Sequence, residues 1–189
     1  MTGREAAERI LHSQGIYDVR VEHVSGNLTD HYDPRTKRLA LSQDVYGRTS
    51  VAAVCVAAHE CGHAIQHNIN YAPLNIRSAI VPVANIGSSL SWPIFLLGLI
   101  FSIPALTTVG IVLFSLAVLF QLVTLPVEFN ASSRALKMLE STGILSREEN
   151  KGAKKVLTAA ALTYVAALAS SILQLLRLLI LSGGRRRDD

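Results

Sequence analysis

The spacing of apolar and polar positions changes character several times along the chain, and each rhythm predicts a different element. In residues 2–14 the apolar side chains Ala6, Ala7, Ile10 and Leu11 recur at helical spacing, with Gly15 placed as a stop, which predicts an amphipathic helix. Residues 17–24 alternate, as a half-buried strand does, and two further strand-like segments, 28–32 and 38–41, flank the turn signal Asp33-Pro34-Arg35-Thr36. Residues 50–66 are rich in Ala and Val and predict a buried helix.

Polarity then disappears. Residues 78–127, fifty in all, contain no Asp, Glu, Lys, Arg or His. A bilayer core of about 30 Å needs about 20 apolar residues per helix, so this run predicts two spans, near 80–101 and 107–125, with a turn around Ser102-Ile103-Pro104. The first carries Pro82, Gly87, Pro93 and Gly98 and is expected to kink and to pack closely through its small residues. A third span is expected over 159–181, where Arg177 is the sole charge and lies near the end, within reach of the interface. The reading is a mainly α membrane protein. A small α+β head occupies residues 1–77, a transmembrane hairpin 78–127, a helical segment 128–158, and a third membrane helix with a basic tail 159–189.

Composition agrees with that division. The chain has 189 residues, is 50% hydrophobic and has a mean hydropathy of +0.34, too apolar for an ordinary soluble domain. Its net charge of +4 and the tail Arg185-Arg186-Arg187 fit cations flanking a lipid bilayer. No basic patch is interleaved with aromatics, so no nucleic-acid partner is expected. No basic-then-apolar leader opens the sequence, so the internal spans are expected to direct insertion. Cys55 and Cys61 are six positions apart on one predicted helix, too far around and along it for a disulfide, and are expected to be packing residues.

The candidate chemistry lies in the Ala/Val-rich helix, which contains His59-Glu60-Cys61-Gly62-His63. Positions i and i+4 stack on one helix face, so both imidazoles can reach one zinc ion from a single backbone. Glu60 is rotated by roughly 100° from His59, where its carboxylate can meet a water at the metal and act as general base. Idle histidines in so apolar a helix would need other partners, since an unpartnered buried polar group costs roughly 1–3 kcal/mol. Gly62 costs about 1 kcal/mol against alanine inside a helix, which suggests that another segment approaches closely there.

A catalytic zinc usually takes three protein ligands, and the third is open at this point. The extended motif that adds a glycine and a third histidine is excluded, because Gln66 and Ile69 stand at those positions. His67 is one turn beyond His63, although three successive i, i+4 ligands diverge on a straight helix. Asp30, Asp33 and Asp44 lie upstream, and Glu128, Glu140, Glu148 and Glu149 downstream. Glu128 stands out as the first charge after the uncharged run, where two spans would return the chain to the face it left. It also reads as an interfacial carboxylate at a helix start after Pro126.

Four segments in order carry a resemblance: Gly26-x-Leu28-Thr29-Asp30-His31-Tyr32-Asp33-Pro34, Leu41-Ser42, Val56-Ala57-Ala58-His59-Glu60-x-Gly62-His63-Ala64-x-Gln66 and Pro126-Val127-Glu128-Phe129. Over nearly its whole length the chain resembles the bacterial YugP-like neutral zinc metallopeptidases. That family is in turn similar to the HtpX and CAAX-prenyl protease group, whose third ligand is a Glu in an E-[FY]-x-A segment after intervening spans. The resemblance implies a zincin-like head holding one Zn2+ on His59, His63 and Glu128, with Glu60 as base, in a gluzincin-like metallopeptidase. It implies peptide or protein substrates, membrane proteins among them, and a place in the bacterial inner membrane. The catalytic face is expected to be cytoplasmic, because residues 134–155, read as a loop, hold six Lys/Arg. The wider group often has Asp four residues after the ligand Glu, where this chain has Ser132.

On that reading a substrate strand would add along an edge at residues 38–42. Arg134, Tyr71, His67 and Tyr164 are the candidates for stabilising an oxyanion. Two other classes compete: a non-proteolytic membrane protein with a structural zinc, and a zinc hydrolase acting on something other than a peptide.

Overall fold

The computed structural model describes residues 1–184, so the Arg185-Arg186-Arg187 tail lies outside the described residues. The elements in chain order are α1 (Gly3–Ser13), β1 (Arg20–Val24), β2 (His31–Asp33), β3 (Arg38–Ser42), α2 (Gln43–Tyr46), α3 (Val51–Asn68), α4 (Ala72–Ile100), α5 (Pro104–Ser141) and α6 (Arg147–Gly184). They form two units. One comprises Met1–Leu74 and Val127–Leu162, and the other Asn75–Pro126 with the chain from Thr163 onward.

In the first unit, α1 starts at a capping box. The Thr2 hydroxyl accepts from the Glu5 backbone N–H at 3.2 Å, and the Glu5 carboxylate accepts from the Thr2 N–H at 2.8 Å. The helix ends before Gly15, whose φ of 70° is the left-handed conformation that a glycine tolerates. Ala6, Ala7, Ile10 and Leu11 are fully buried against the core that also takes in α3. The α3 N-terminus is capped by Ser50, whose hydroxyl accepts from the Ala53 N–H at 3.2 Å. On the C-terminal side, Val127, Ala131, Ala135 and Leu139 recur every four residues as one fully buried stripe of α5. Ala135 and Leu139 join the core of α1 and α3, as do Ala153 and Leu157 of α6. Residues 134–155, the connection between the second and third spans and part of the segment expected to be helical over 128–158, are mostly helix: α5 continues to Ser141 and α6 begins at Arg147. The short connection between them turns at Gly143 (φ 61°), and Ser146 and Glu149 cap α6 reciprocally.

The sheet corrects another expectation. Its order is β1-β3-β2, with β1 parallel and β2 antiparallel to β3. Residues 38–42 are thus the central strand and offer no free edge. Leu39, Ala40 and Leu41 are fully buried. A strand this apolar is poorly suited to an open edge, and β1 covers the side that the β2–β3 hairpin leaves open. The hairpin turn is held by Asp33, whose carboxylate accepts from the Arg35 N–H at 2.9 Å and the Thr36 hydroxyl at 2.7 Å. Asp30 accepts from the Ser42 N–H and hydroxyl at 2.7 and 2.9 Å, fixing the entry to α2.

The second unit is made of apolar helix. α4, α5 and α6 are each long and apolar enough to cross a membrane. Within this unit α4 and the first part of α5 pack through small residues. A Cβ on Gly87 would lie 2.8 Å from the Leu113 carbonyl oxygen, one on Gly98 2.5 Å from the Thr107 nitrogen, and one on Gly110 2.8 Å from the Phe95 nitrogen. Proline does not end these helices. α4 runs through Pro82 and Pro93, and α5 through Pro126. Glu128 is consequently an interior residue of a 38-residue helix, and the alternative reading of it as a carboxylate at a helix start after Pro126 falls. An interior proline removes one backbone hydrogen bond, whereas leaving the helix in apolar surroundings would expose many.

Candidate metal centre

His59 and His63 stand one turn apart on α3, with ring centroids 4.8 Å apart and planes nearly perpendicular at 87°. Facing them is Glu128 of α5, 2% exposed. One carboxylate oxygen, Oε2, lies 3.1 Å from His59 Nε2 and 3.5 Å from His63 Nε2. The three side chains offer ligand atoms that all fall within 4.8 Å of one another.

Such an approach of two helix backbones requires a small residue, and Gly62 supplies it. A Cβ there would sit 2.5 Å from the Ala131 carbonyl oxygen. The close approach expected from this glycine is therefore that of α5. The neighbouring positions then place the partners. Ser132, four residues after Glu128 and on the same face, has its Oγ 3.1 Å from His59 Nδ1. Gln66, three residues after His63, has its Oε1 3.0 Å from His63 Nδ1. Gln66 in turn donates from Nε2 to the Val127 carbonyl at 2.8 Å and to Asn130 Oδ1 at 3.0 Å, spanning the two helices.

With His63 Nδ1 directed at an amide oxygen and His59 Nδ1 at a hydroxyl, both Nε2 atoms face the same carboxylate. Three electron-rich atoms at such distances repel one another unless a cation lies between them. In the absence of metal a proton shared between an Nε2 and the carboxylate fills that role. Burial of His63 opposes its charged form, yet the hydrogen bond it donates to Glu128 and the carboxylates of Glu60 and Glu128 outweigh it and raise its pKa above the ordinary value. A metal ion would displace that proton. Two imidazole nitrogens and one carboxylate oxygen, pre-oriented by hydrogen bonds on their far sides, are a donor set that fits zinc.

The remaining candidates lie elsewhere. His67 Nδ1 accepts from the Tyr32 hydroxyl at 2.9 Å, and the Tyr32 phenol is pushed up to about 12 by burial and by Asp18 and Asp33. Asp30 and Asp33 are occupied with the backbone and hydroxyl groups already described. Asp44 and Glu140 are exposed, Glu148 pairs with Lys151 at 2.8 Å, and Glu149 caps α6. Both cysteines are free and buried; the Cys61 thiol lies 3.6 Å from the Ala7 carbonyl, pushed to high pKa by burial. Glu60 is 8% exposed and makes no side-chain hydrogen bond among the described residues. Arg134 turns its Nε to Asn130 Oδ1 at 2.7 Å. Gln66 and Asn130 were given no role from the sequence. A buried amide one turn past His63 was the signal available for Gln66.

A His-His-Glu cluster, with His63 and Glu128 buried and His59 half-buried, in a chain that also carries three helices long and apolar enough to cross a membrane, defines a class. Residues 1–183 match the family described as "Putative neutral zinc metallopeptidase", and the chain belongs to it. Its similarity extends to the "Putative membrane protease YugP" of Bacillus subtilis (strain 168), 51% identical over 180 residues, which cover 95% of this chain and 80% of the relative. No solved structure matches the chain.

Proposed function

We propose that the chain is a membrane-embedded zinc metalloprotease that holds one Zn2+ on His59, His63 and Glu128 and uses Glu60 as general base. The observation that supports this best is the convergence of three ligand atoms from α3 and α5 on one buried point, although Glu128 follows His63 by 65 residues. No fourth His, Cys, Asp or Glu joins them among the described residues. A structural zinc usually takes four protein ligands, whereas a catalytic one keeps a position open.

When bound, the zinc would supply Lewis acidity, polarising the scissile carbonyl and acidifying the attacking water. Glu60 is adjacent to His59 and its carboxylate is not tied up in hydrogen bonds, so it is available to take the proton from that water and deliver it to the leaving amine. Ser132 and Gln66 hold the two imidazoles in register. The substrate is a peptide segment, extended and paired with a sheet edge. With β3 internal, β2 takes that role, since its Tyr32 reaches His67 one turn past His63. The site faces the cytoplasm of a bacterial cell, in keeping with the six Lys/Arg of residues 134–155, and the gluzincin-like arrangement extends to the HtpX and CAAX-prenyl protease group.

The test is Glu60→Gln in purified, detergent-solubilised protein, with zinc content and cleavage of an unfolded protein substrate measured together. The variant should keep its zinc and lose at least the roughly 10²- to 10⁴-fold that a general base contributes. Undiminished cleavage by Glu60→Gln would overturn the mechanism.

A further inference from the structure

Gln66 belongs to the motif segment, yet no step above needs it beyond its contact with His63. It is 0% exposed, and its amide makes three hydrogen bonds: Nε2 donates to the Val127 carbonyl and to Asn130 Oδ1, and Oε1 faces His63 Nδ1. The two ends of an amide are nearly alike in shape, so its direction has to be argued from its partners. Here the direction is imposed from the far end. Arg134 Nε points at Asn130 at 2.7 Å. A guanidinium has donors and no acceptor, so the Asn130 atom facing it must be oxygen. That same oxygen faces Gln66, which must answer with its N–H, and the Val127 carbonyl makes the same demand. The Gln66 oxygen is left for His63. His63 must therefore carry a hydrogen on Nδ1, which leaves Nε2, facing Glu128, as the atom that takes a shared proton or a metal ion.

We infer that Arg134, Asn130 and Gln66 form a polarised hydrogen-bond relay that fixes the tautomer and ring angle of His63, which makes Gln66 a positioning residue for that ligand. His59 has no equivalent. Its Nδ1 faces the Ser132 hydroxyl, which can donate or accept and imposes no tautomer. The relay also joins α3 to α5, so the element that carries Glu128 is the one that orients His63. The inference rests on the proposed metal reading for its purpose, though the tautomer it assigns does not.

The experiment measures zinc affinity by chelator competition in Gln66→Leu, Gln66→Glu and Asn130→Leu, beside 15N-imidazole spectra of metal-free protein at alkaline pH, with His63→Gln to assign the signal. Gln66→Leu should weaken zinc binding about 10- to 100-fold, the range for losing a partner that orients a metal-bound histidine. Gln66→Glu keeps an acceptor against Nδ1 but loses both donors, to the Val127 carbonyl and to Asn130, and should recover only part of that loss. Asn130→Leu should cost less than Gln66→Leu, because the Val127 carbonyl still orients the amide. If Gln66 only packed the helices together, these variants would lower thermal stability and leave the zinc affinity of folded protein unchanged, and that result would overturn the inference. Should Gln66→Leu not fold, Asn130→Leu and the spectra decide: wild-type His63 must show a protonated, hydrogen-bonded Nδ1, and a bare Nδ1 would refute the relay. A wild type that shows this signal but binds no zinc would defeat the metal reading alone.

Discussion

The two units treat the same kind of residue in opposite ways. In the first, the large aliphatic side chains point inward: Ile10, Leu11, Leu39, Leu41 and Leu139 are fully buried, and they lie in one continuous core with the small residues of α1, α3 and α5. In the second, they point outward, with Ile86 57% and Ile180 74% exposed. A water-soluble surface would not carry so many of them together. The difference teaches that the units are built for different solvents. One excludes water with its own core, and the other has helices long and apolar enough to cross a membrane and packs them through Gly87, Gly98 and Gly110. The metal centre belongs wholly to the first kind.

The most damaging way to break this comparison is a charge placed on each apolar set. Leu139→Asp should unfold the first unit, because an unpartnered carboxylate in that core costs more than about 4 kcal/mol; circular dichroism and loss of zinc binding would report it. Ile86→Arg should leave the first unit folded but raise the cost of membrane insertion by about 2.5–3.5 kcal/mol if that position meets lipid near the bilayer centre. An insertion assay that finds Ile86→Arg equal to wild type would show that this face meets water, and the contrast would collapse.

A smaller effect comes from the glycines. Gly62→Ala forces a Cβ against the Ala131 carbonyl and should cost about 1–3 kcal/mol, as overpacking does, with weaker zinc binding because α5 is pushed away. Gly152 has nothing within 4 Å of a Cβ and lies within α6. Gly152→Ala should therefore stabilise, by about 0.5–1 kcal/mol. Thermal unfolding of the two variants measures both signs, and a Gly62→Ala protein as stable as wild type would mean that the helices are not held together there.

What the sequence made legible follows the range of the interaction. His59 and His63 share one helix, so their spacing alone defines a face, and the strong periodicity of α1 and the uncharged run of 78–127 are equally local signals. The β1-β3-β2 order was not legible, because alternation predicts a strand and says nothing about which neighbour fills each side. The alternative that Pro126 raised fails for the reverse reason. Locally it reads as a helix start, while the apolar setting keeps α5 helical through it. Glu128 could be singled out by its place after the uncharged run, but joining it to His59 required the resemblance or the fold. Gln66, Asn130 and Arg134 are ordinary polar residues with no periodic mark, and only the meeting of α3 and α5 gives them a common direction.

The central claim is that α3 and α5 hold one metal ion between them, and the direct measurement is zinc stoichiometry and affinity in wild type, Glu128→Ala and Glu140→Ala. Wild type and Glu140→Ala, whose carboxylate is an exposed one on the same helix, should both retain about one zinc per chain. Glu128→Ala should lose affinity by more than the roughly 10- to 100-fold that an orienting partner accounts for. Full wild-type zinc in Glu128→Ala would contradict the account.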